Sequence, residues 1–226
     1  MANGNLLLLA VLVILTLLPC SSPLSPWQVY AFHDDSFVLL PASLPPAPLL
    51  PCPPAPSPPC PLTIPADWRI TASALADVTH DGAPEWALIV WRPWRDWPIQ
   101  RWSPTSSPIA GFHDAAGQSC HLILLDSSDG REIWAGSALP APLLALAVGD
   151  VDGDGNNEVA TLEGDYATAH DGPATHLDIW RWNGFGFTLE WRSPAGDVCQ
   201  LYLTDVDNDG ILDVVVRQCL YKGGSR

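Results

Sequence analysis

From position 67 onward, short apolar runs alternate with turns rich in Gly, Asp and Asn. Val, Ile, Leu and Trp dominate the runs, and no stretch of useful length carries a helical period, so the pattern predicts strand almost throughout. The predicted strands are 69–76, 86–91, 121–125, 132–135, 143–148, 158–162, 176–182, 187–191, 199–204 and 213–218. Ahead of them, residues 27–40 place two apolar runs about a polar turn, which reads as a hairpin. Residues 41–65 are dense in proline, which fixes φ and removes a backbone donor. They form neither helix nor central strand and are expected to be an extended linker or surface loop.

The strand pattern repeats. Three segments share the layout apolar strand, acidic loop, apolar strand: ADVTHDGAPEW at 76–86, GDVDGDGNNEV at 149–159 and TDVDNDGILDV at 204–214. A hairpin precedes the second and the third. One turns at Ser128-Asp129-Gly130 and the other at Asn183-Gly184, a strong two-residue hairpin signal. Gly130 lies 20 residues ahead of Asp150, and Gly184 lies 21 ahead of Asp205. The strands after these turns end in Trp134 and Trp191. The repeating unit is therefore hairpin, strand, acidic loop, strand, four strands as in a propeller blade. The first loop has no such hairpin close upstream. The 27–40 hairpin is expected to supply it, with the Pro-rich segment as an insertion.

The predicted fold class is all-β and β-propeller-like, with two to three four-stranded blades. Closed propellers typically have four to eight. The alternatives are an open partial propeller, a propeller completed by another chain, and a sandwich of blade-like units. The expected organisation is 1–20 as signal or anchor, 21–66 as hairpin plus linker, and 67–226 as the repeat domain.

The chain has 226 residues, 25 of them acidic and 10 basic, for a formal charge of −15. Lys222 is the single lysine, and no basic run offers a path for phosphates. Nucleic-acid binding is set aside on that ground. At 47% hydrophobic and with 11 Trp, the chain is too apolar for an acidic disordered segment. The acid must be concentrated on a folded, apolar frame, where it attracts cations.

The concentration falls in the loops. Acids occur at Asp150, Asp152, Asp154 and Glu158, and again at Asp205, Asp207, Asp209 and Asp213. Alternate positions in a tight loop aim their side chains at one centre, where three carboxylates repel one another without a cation. Ca²⁺ takes six to eight oxygen ligands in flexible geometry and suits such a cluster better than Mg²⁺, which keeps more of its water. Glycine at the sixth position, Gly155 or Gly210, permits the sharp turn. The seventh residue, Asn156 or Ile211, is placed to offer its backbone carbonyl. The first loop is a weaker copy, Asp77, Thr79, Asp81, Ala83 and Glu85, with Thr79 in place of a carboxylate. A helix-flanked EF-hand loop wants Glu at position twelve. Thr161 and Val216 stand there instead, and the flanks read as strand.

The pattern Asp-x-Asp-x-Asp-Gly-x-x-Asp/Glu between apolar strands resembles the FG-GAP/VCBS repeat of integrin α-subunit propellers and many bacterial surface proteins. The resemblance covers roughly 67–218 and is strongest at the second and third loops. It implies that Ca²⁺ is structural and braces each turn.

At the N-terminus, residues 6–18 form an apolar run broken only at Thr16, short of the about 20 residues a membrane span needs. It fits the core of a secretory signal, although residues 1–5 carry no Lys or Arg. Leu17-Leu18-Pro19-Cys20 resembles a bacterial lipobox, with Cys20 as the lipidation point and Pro19 as the departure. Ordinary cleavage further on and an uncleaved anchor are the alternatives. All three put the rest of the chain outside the cytoplasm, joined to a membrane only through this segment. Six cysteines suit that compartment. Their spacing permits Cys52–Cys60 across a Pro-rich loop and Cys199–Cys219 across the last acidic loop. Cys120 is then left for Cys20 or stays free.

Trp91, Trp94, Trp97 and Trp102 are interleaved with Arg92 and Arg95. They suit either a cation–π ladder and ligand surface or a cover over the end of a small core. The 92–118 stretch is the largest irregular insertion in the repeat region, where binding function tends to sit. His33, His80, His113, His121, His170 and His176 form no metal pair at helical spacing and no triad motif, and His80 is expected to face outward. There is no Gly-x-Ser-x-Gly and no phosphate-cradling loop. The expectation is a calcium-stabilised binding or scaffolding module rather than an enzyme. Its partner is another protein, or a second copy that completes the propeller. The alternative is a carbohydrate-binding or carbohydrate-processing protein that uses the Trp-rich insertion.

Overall fold

The computed structural model describes residues 27–40, 64–94, 112–168 and 172–219. Among them there are twelve strands and no helix. The predicted 1–20 segment, Cys20, Cys52, Cys60, Trp97 and Trp102 lie outside the described residues.

The strands form three four-stranded antiparallel sheets. The first contains β3 (Arg69–Ala76), β4 (Glu85–Pro93), β5 (Gln118–Asp126) and β6 (Glu132–Ala135) in chain order. The second contains β7 (Leu143–Gly149), β8 (Glu158–Glu163), β9 (His176–Trp182) and β10 (Phe187–Arg192), also in chain order. The third runs β11 (Val198–Thr204), β12 (Asp213–Gln218), β1 (Trp27–His33), β2 (Ser36–Leu39).

Strand position follows composition. Of the six central strands, β4, β5, β8 and β12 are the most fully covered and read as nearly continuous apolar runs, such as Trp86-Ala-Leu-Ile-Val-Trp91. The edge strand β10 carries its polar and charged residues to solvent. The strand β7 packs against both β3 and β11, so the first strand of each sheet meets its neighbour along one inner line. Between the second and third sheets the core contains Val151, Leu162, Leu177, Ile179, Tyr30, Phe37, Val214 and Val216. Between the first and second it contains Ile89, Trp91, Leu122 and Leu143, and beside them Val78, Ala87, Leu124 and Val159.

Two expectations about the repeat are corrected. Each hairpin belongs to the acidic loop before it, not the one after it: β5 and β6 continue the sheet begun by β3 and β4, with Glu85 opposite Asp126. The unit is thus strand, acidic loop, strand, hairpin. The 27–40 hairpin does not complete the first sheet. It pairs β1 with β12, from Trp27 opposite Arg217 to Tyr30 opposite Val214. The reason is burial. The run Val214-Val215-Val216 is at most 1% exposed and needs a neighbour on both edges. Two strands alone cannot provide that, and the early hairpin takes the vacant edge. The third sheet is therefore closed by the two ends of the described chain.

Of the two alternatives for the Trp-rich segment, Trp91 takes the core one. It is 2% exposed in the core rather than on a ligand surface. Its ring meets Tyr166 edge-on at 5.8 Å, and the Arg69 guanidinium lies over it. Arg92 lies over Trp68. These two described cation–π contacts thus join β4 to Arg69 at the start of β3 and to Trp68 just ahead of it. Trp94 is half-buried beside His113. Cys199 and Cys219 are joined in a disulfide with their Cα atoms 5.3 Å apart, and Cys120 is a buried free thiol.

Candidate metal centre

Each acidic loop joins the first strand of a sheet to the second, so the three loops occupy equivalent places. Their backbones are held the same way. The first Asp caps the turn by accepting amide hydrogen bonds: Asp77 from Asp81 and Gly82, Asp150 from Gly153 and Gly155, Asp205 from Asn208, Asp209 and Gly210. The fifth-position acid caps the seventh residue, at 2.9 Å for Asp81 to Ala83, 2.8 Å for Asp154 to Asn156 and 2.8 Å for Asp209 to Ile211. The ninth-position carboxylate accepts from the second residue: Glu85 from Val78, Glu158 from Val151, Asp213 from Val206. Gly82, Gly155 and Gly210 have φ of 90°, 88° and 92°, the left-handed region in which a Cβ is strained.

This bracing converges the acids. Asp77, Asp81 and Glu85 bring one oxygen each to within 4.8 Å of one another, as do Asp150, Asp152 and Glu158, and Asp205, Asp207 and Asp213. Asp154 and Asp209 are outside those sets. In the first loop, Thr79 Oγ1 donates to Glu85 Oε1 at 3.0 Å, filling the third position with a neutral contact. The ninth-position acids are sunk at the base of the loops, Glu85 and Glu158 at 1% exposure and Asp213 at 4%. Burial first, then the nearby Asp152 and Asp154, pushes the Glu158 carboxyl up to about 7. Burial first, then Asp207, Asp209 and Asp205, raises that of Asp213. Glu158 Oε1 is enclosed and accepts no hydrogen bond. All-oxygen, acid-rich donor sets of this kind fit a hard cation such as Ca²⁺.

One residue of this site was not legible in the loop spacing. Arg181, on β9, reaches into the second loop. Its Nη2 contacts Asp152 Oδ2, and Nη1 lies 2.9 Å from Asp154 Oδ2. Nη2 is also 3.5 Å from Glu158 Oε1, and Nε is 3.0 Å from Glu190 Oε1. Only strand pairing brings Arg181 there, since β9 follows β8 in the sheet and Arg181 stands beside Trp180, the partner of Val159.

Several other buried polar groups have protein partners, whereas Trp86 Nε1 and His80 Nε2 are enclosed without a hydrogen bond. Asp178, fully buried, is held by Arg192 at 2.8 and 2.9 Å, and Arg192 also reaches Glu163. His121 is sealed inside the first sheet, with Nε2 at 2.8 Å from Ser119 Oγ and Nδ1 at 2.9 Å from the Gly136 carbonyl. Burial lowers its pKa to about 4. Cys120 is buried, which pushes its thiol up to about 12, far from thiolate chemistry. His80, expected outside, is half-buried with Nε2 enclosed. A cavity of about 320 Å³ opens where β3, β7 and β11 approach, lined in part by Thr71, Trp91, Leu144 and Val198. Its described lining offers no carboxylate or imidazole.

No protein-family model matches the chain, and no curated protein matches it.

Proposed function

We propose that the chain is an extracytoplasmic binding or scaffolding module built from FG-GAP/VCBS-type repeats, its three sheets serving as blades of a propeller-like domain braced by Ca²⁺. One observation carries this reading. The same carboxylate-lined turn, with the same capping bonds and the same left-handed glycine, recurs at the same place in all three sheets. The ninth-position acid caps the turn and is buried at its base, where a cation would offset the cost of burying its charge. Asp205, Asp207 and Asp213 would hold the ion in the third loop. Asp150, Asp152 and Glu158 would hold it in the second, and Asp77, Asp81 and Glu85 more weakly in the first. The ion's contribution is charge neutralisation and bracing. The partner would be another protein or a second copy that extends the row of three sheets. The carbohydrate reading loses Trp91 to the core and has no described observation in its favour.

Thermal melting of the full chain with Ca²⁺ and with excess chelator tests the reading. A lower melting temperature in chelator, reversed by Ca²⁺, is expected. An identical melting temperature in both overturns it.

A further inference from the structure

The three loops share a backbone but differ in what faces them from the third strand of the sheet. Glu85 stands opposite Asp126 on β5. Val159 pairs with Trp180, which sets Glu158 opposite Arg181 on β9. Val214 pairs with Tyr30, which sets Asp213 opposite Ala31 on β1. The ninth-position carboxylate thus faces an acid in the first sheet, a guanidinium in the second and a methyl group in the third. Among the described residues, the second loop alone has a basic side chain within ion-pair distance of its acids.

The geometry points to Arg181 as the resident cation of the second loop: it holds Asp152, Asp154 and Glu158 together without metal and makes this loop a poorer Ca²⁺ site than the third. The planar guanidinium suits the task, since its fork meets two carboxylates at once. Here one arm meets Asp152 and the other Asp154, while the Glu190 carboxylate lies 3.0 Å from Nε as an ion pair without a hydrogen bond. A divalent ion needs the same oxygens, because Asp152 and Glu158 belong to both the arginine's contacts and the converging set. Entry of Ca²⁺ must expel the guanidinium or accept a positive charge a few ångströms away, and both oppose binding. In the third loop no basic side chain among the described residues relieves Asp205, Asp207 and Asp213, so an entering ion meets their mutual repulsion without a competing cation there.

The metal half of this inference rests on the calcium reading above; the metal-free half does not. The test uses the full chain carrying Asp205→Asn, which disables the third loop. Ca²⁺ affinity is measured by equilibrium dialysis at neutral pH, and melting in excess chelator is measured beside it. Arg181→Met, which keeps the apolar stem, is expected to tighten Ca²⁺ binding at least tenfold over the Asp205→Asn parent. It is also expected to lower the melting temperature in chelator. Arg181→Lys, a single ammonium without the fork, is expected to fall between the two. If Arg181→Met matches the parent in Ca²⁺ affinity and in melting, the inference is overturned. If no chain binds Ca²⁺, the calcium reading fails. The chelator melts then decide alone: a loss in Arg181→Met recovered by Arg181→Lys supports Arg181, and no loss overturns it. Should Arg181→Met not fold, Arg181→Lys decides, and affinity equal to the parent's overturns the inference.

Discussion

Removing the Cys199–Cys219 disulfide perturbs the third sheet at one defined point. The two cysteines are 20 residues apart and enclose β11, the third acidic loop and β12. Their Cα separation of 5.3 Å lies in the ordinary range for a disulfide, and Cys199 sits at the irregularity of the ladder between Val198 and Gln200. The ladder persists beside it: Val198 pairs with Gln218, and the Cys219 amide donates to the Asp197 carbonyl at 2.8 Å. The cross-link therefore acts mainly on the unfolded chain. Closing a loop of about 20 residues removes roughly 11 cal/mol/K of denatured-state entropy, or about 3 kcal/mol at 25 °C. The assay is urea unfolding of Cys199→Ser/Cys219→Ser against the oxidised parent, both in Ca²⁺. The midpoint should fall by an amount equivalent to about 3 kcal/mol, with the slope rising as the unfolded chain expands. A loss below about 1 kcal/mol would refute the entropic account of how this hairpin is held.

Other consequences can be measured on the same protein. Trp91→Ala should cost about 3–5 kcal/mol, as expected for emptying a buried indole site, whereas a surface Trp would cost well under 1 kcal/mol. Gly210→Ala meets open space, yet its φ of 92° should cost about 1–2 kcal/mol. Gly196→Ala, equally open and outside that region, should be close to neutral in the same melts. In metal-free protein, Glu158 binds its proton up to about 7 when folded and to 4.5 when unfolded. Its contribution to stability is therefore present below pH 4.5 and lost as pH rises through about 7. Relative to the parent, Glu158→Gln should gain roughly 3 kcal/mol between those limits. His121 has the opposite sign, because its folded pKa is lowered from 6.5 to about 4. Its contribution is present above pH 6.5 and lost as pH falls through about 4, so the two slopes oppose each other in the parent, and only pH series on variants separate them.

The strands and the acidic turns were legible because both rest on local rules. Ten predicted strands from 69 to 218 each fall within an observed one, since apolar runs bounded by Gly and Asp turns leave little choice. The loops repeat their capping bonds because Asp, Gly and the ninth-position acid recur at fixed offsets. What depended on distant pairing was not legible. Nothing local in Trp27–His33 says that it will lie against Asp213–Gln218, although the unbroken Val214-Val215-Val216 run signals a strand with neighbours on both edges. The phase of the repeat was misread for the same reason. A hairpin midway between two acidic loops matches either by spacing, and only the β4–β5 ladder assigns it. Arg181 was hidden because it lies on the strand after Glu158 and enters the loop sideways through the sheet. For Trp91 the sequence left ligand surface and core cover both open, and the burial of β4 on both faces, which depends on the neighbouring sheets, places it in the core.

Calcium uptake by the full chain, compared with Asp205→Asn/Asp213→Asn, addresses the central claim most directly. The account predicts saturable uptake by the parent at about 10⁻⁴–10⁻³ M, with the tightest site absent from the variant. No saturable uptake up to about 10⁻² M, an order of magnitude above that range, would contradict it, as would equal uptake by both chains.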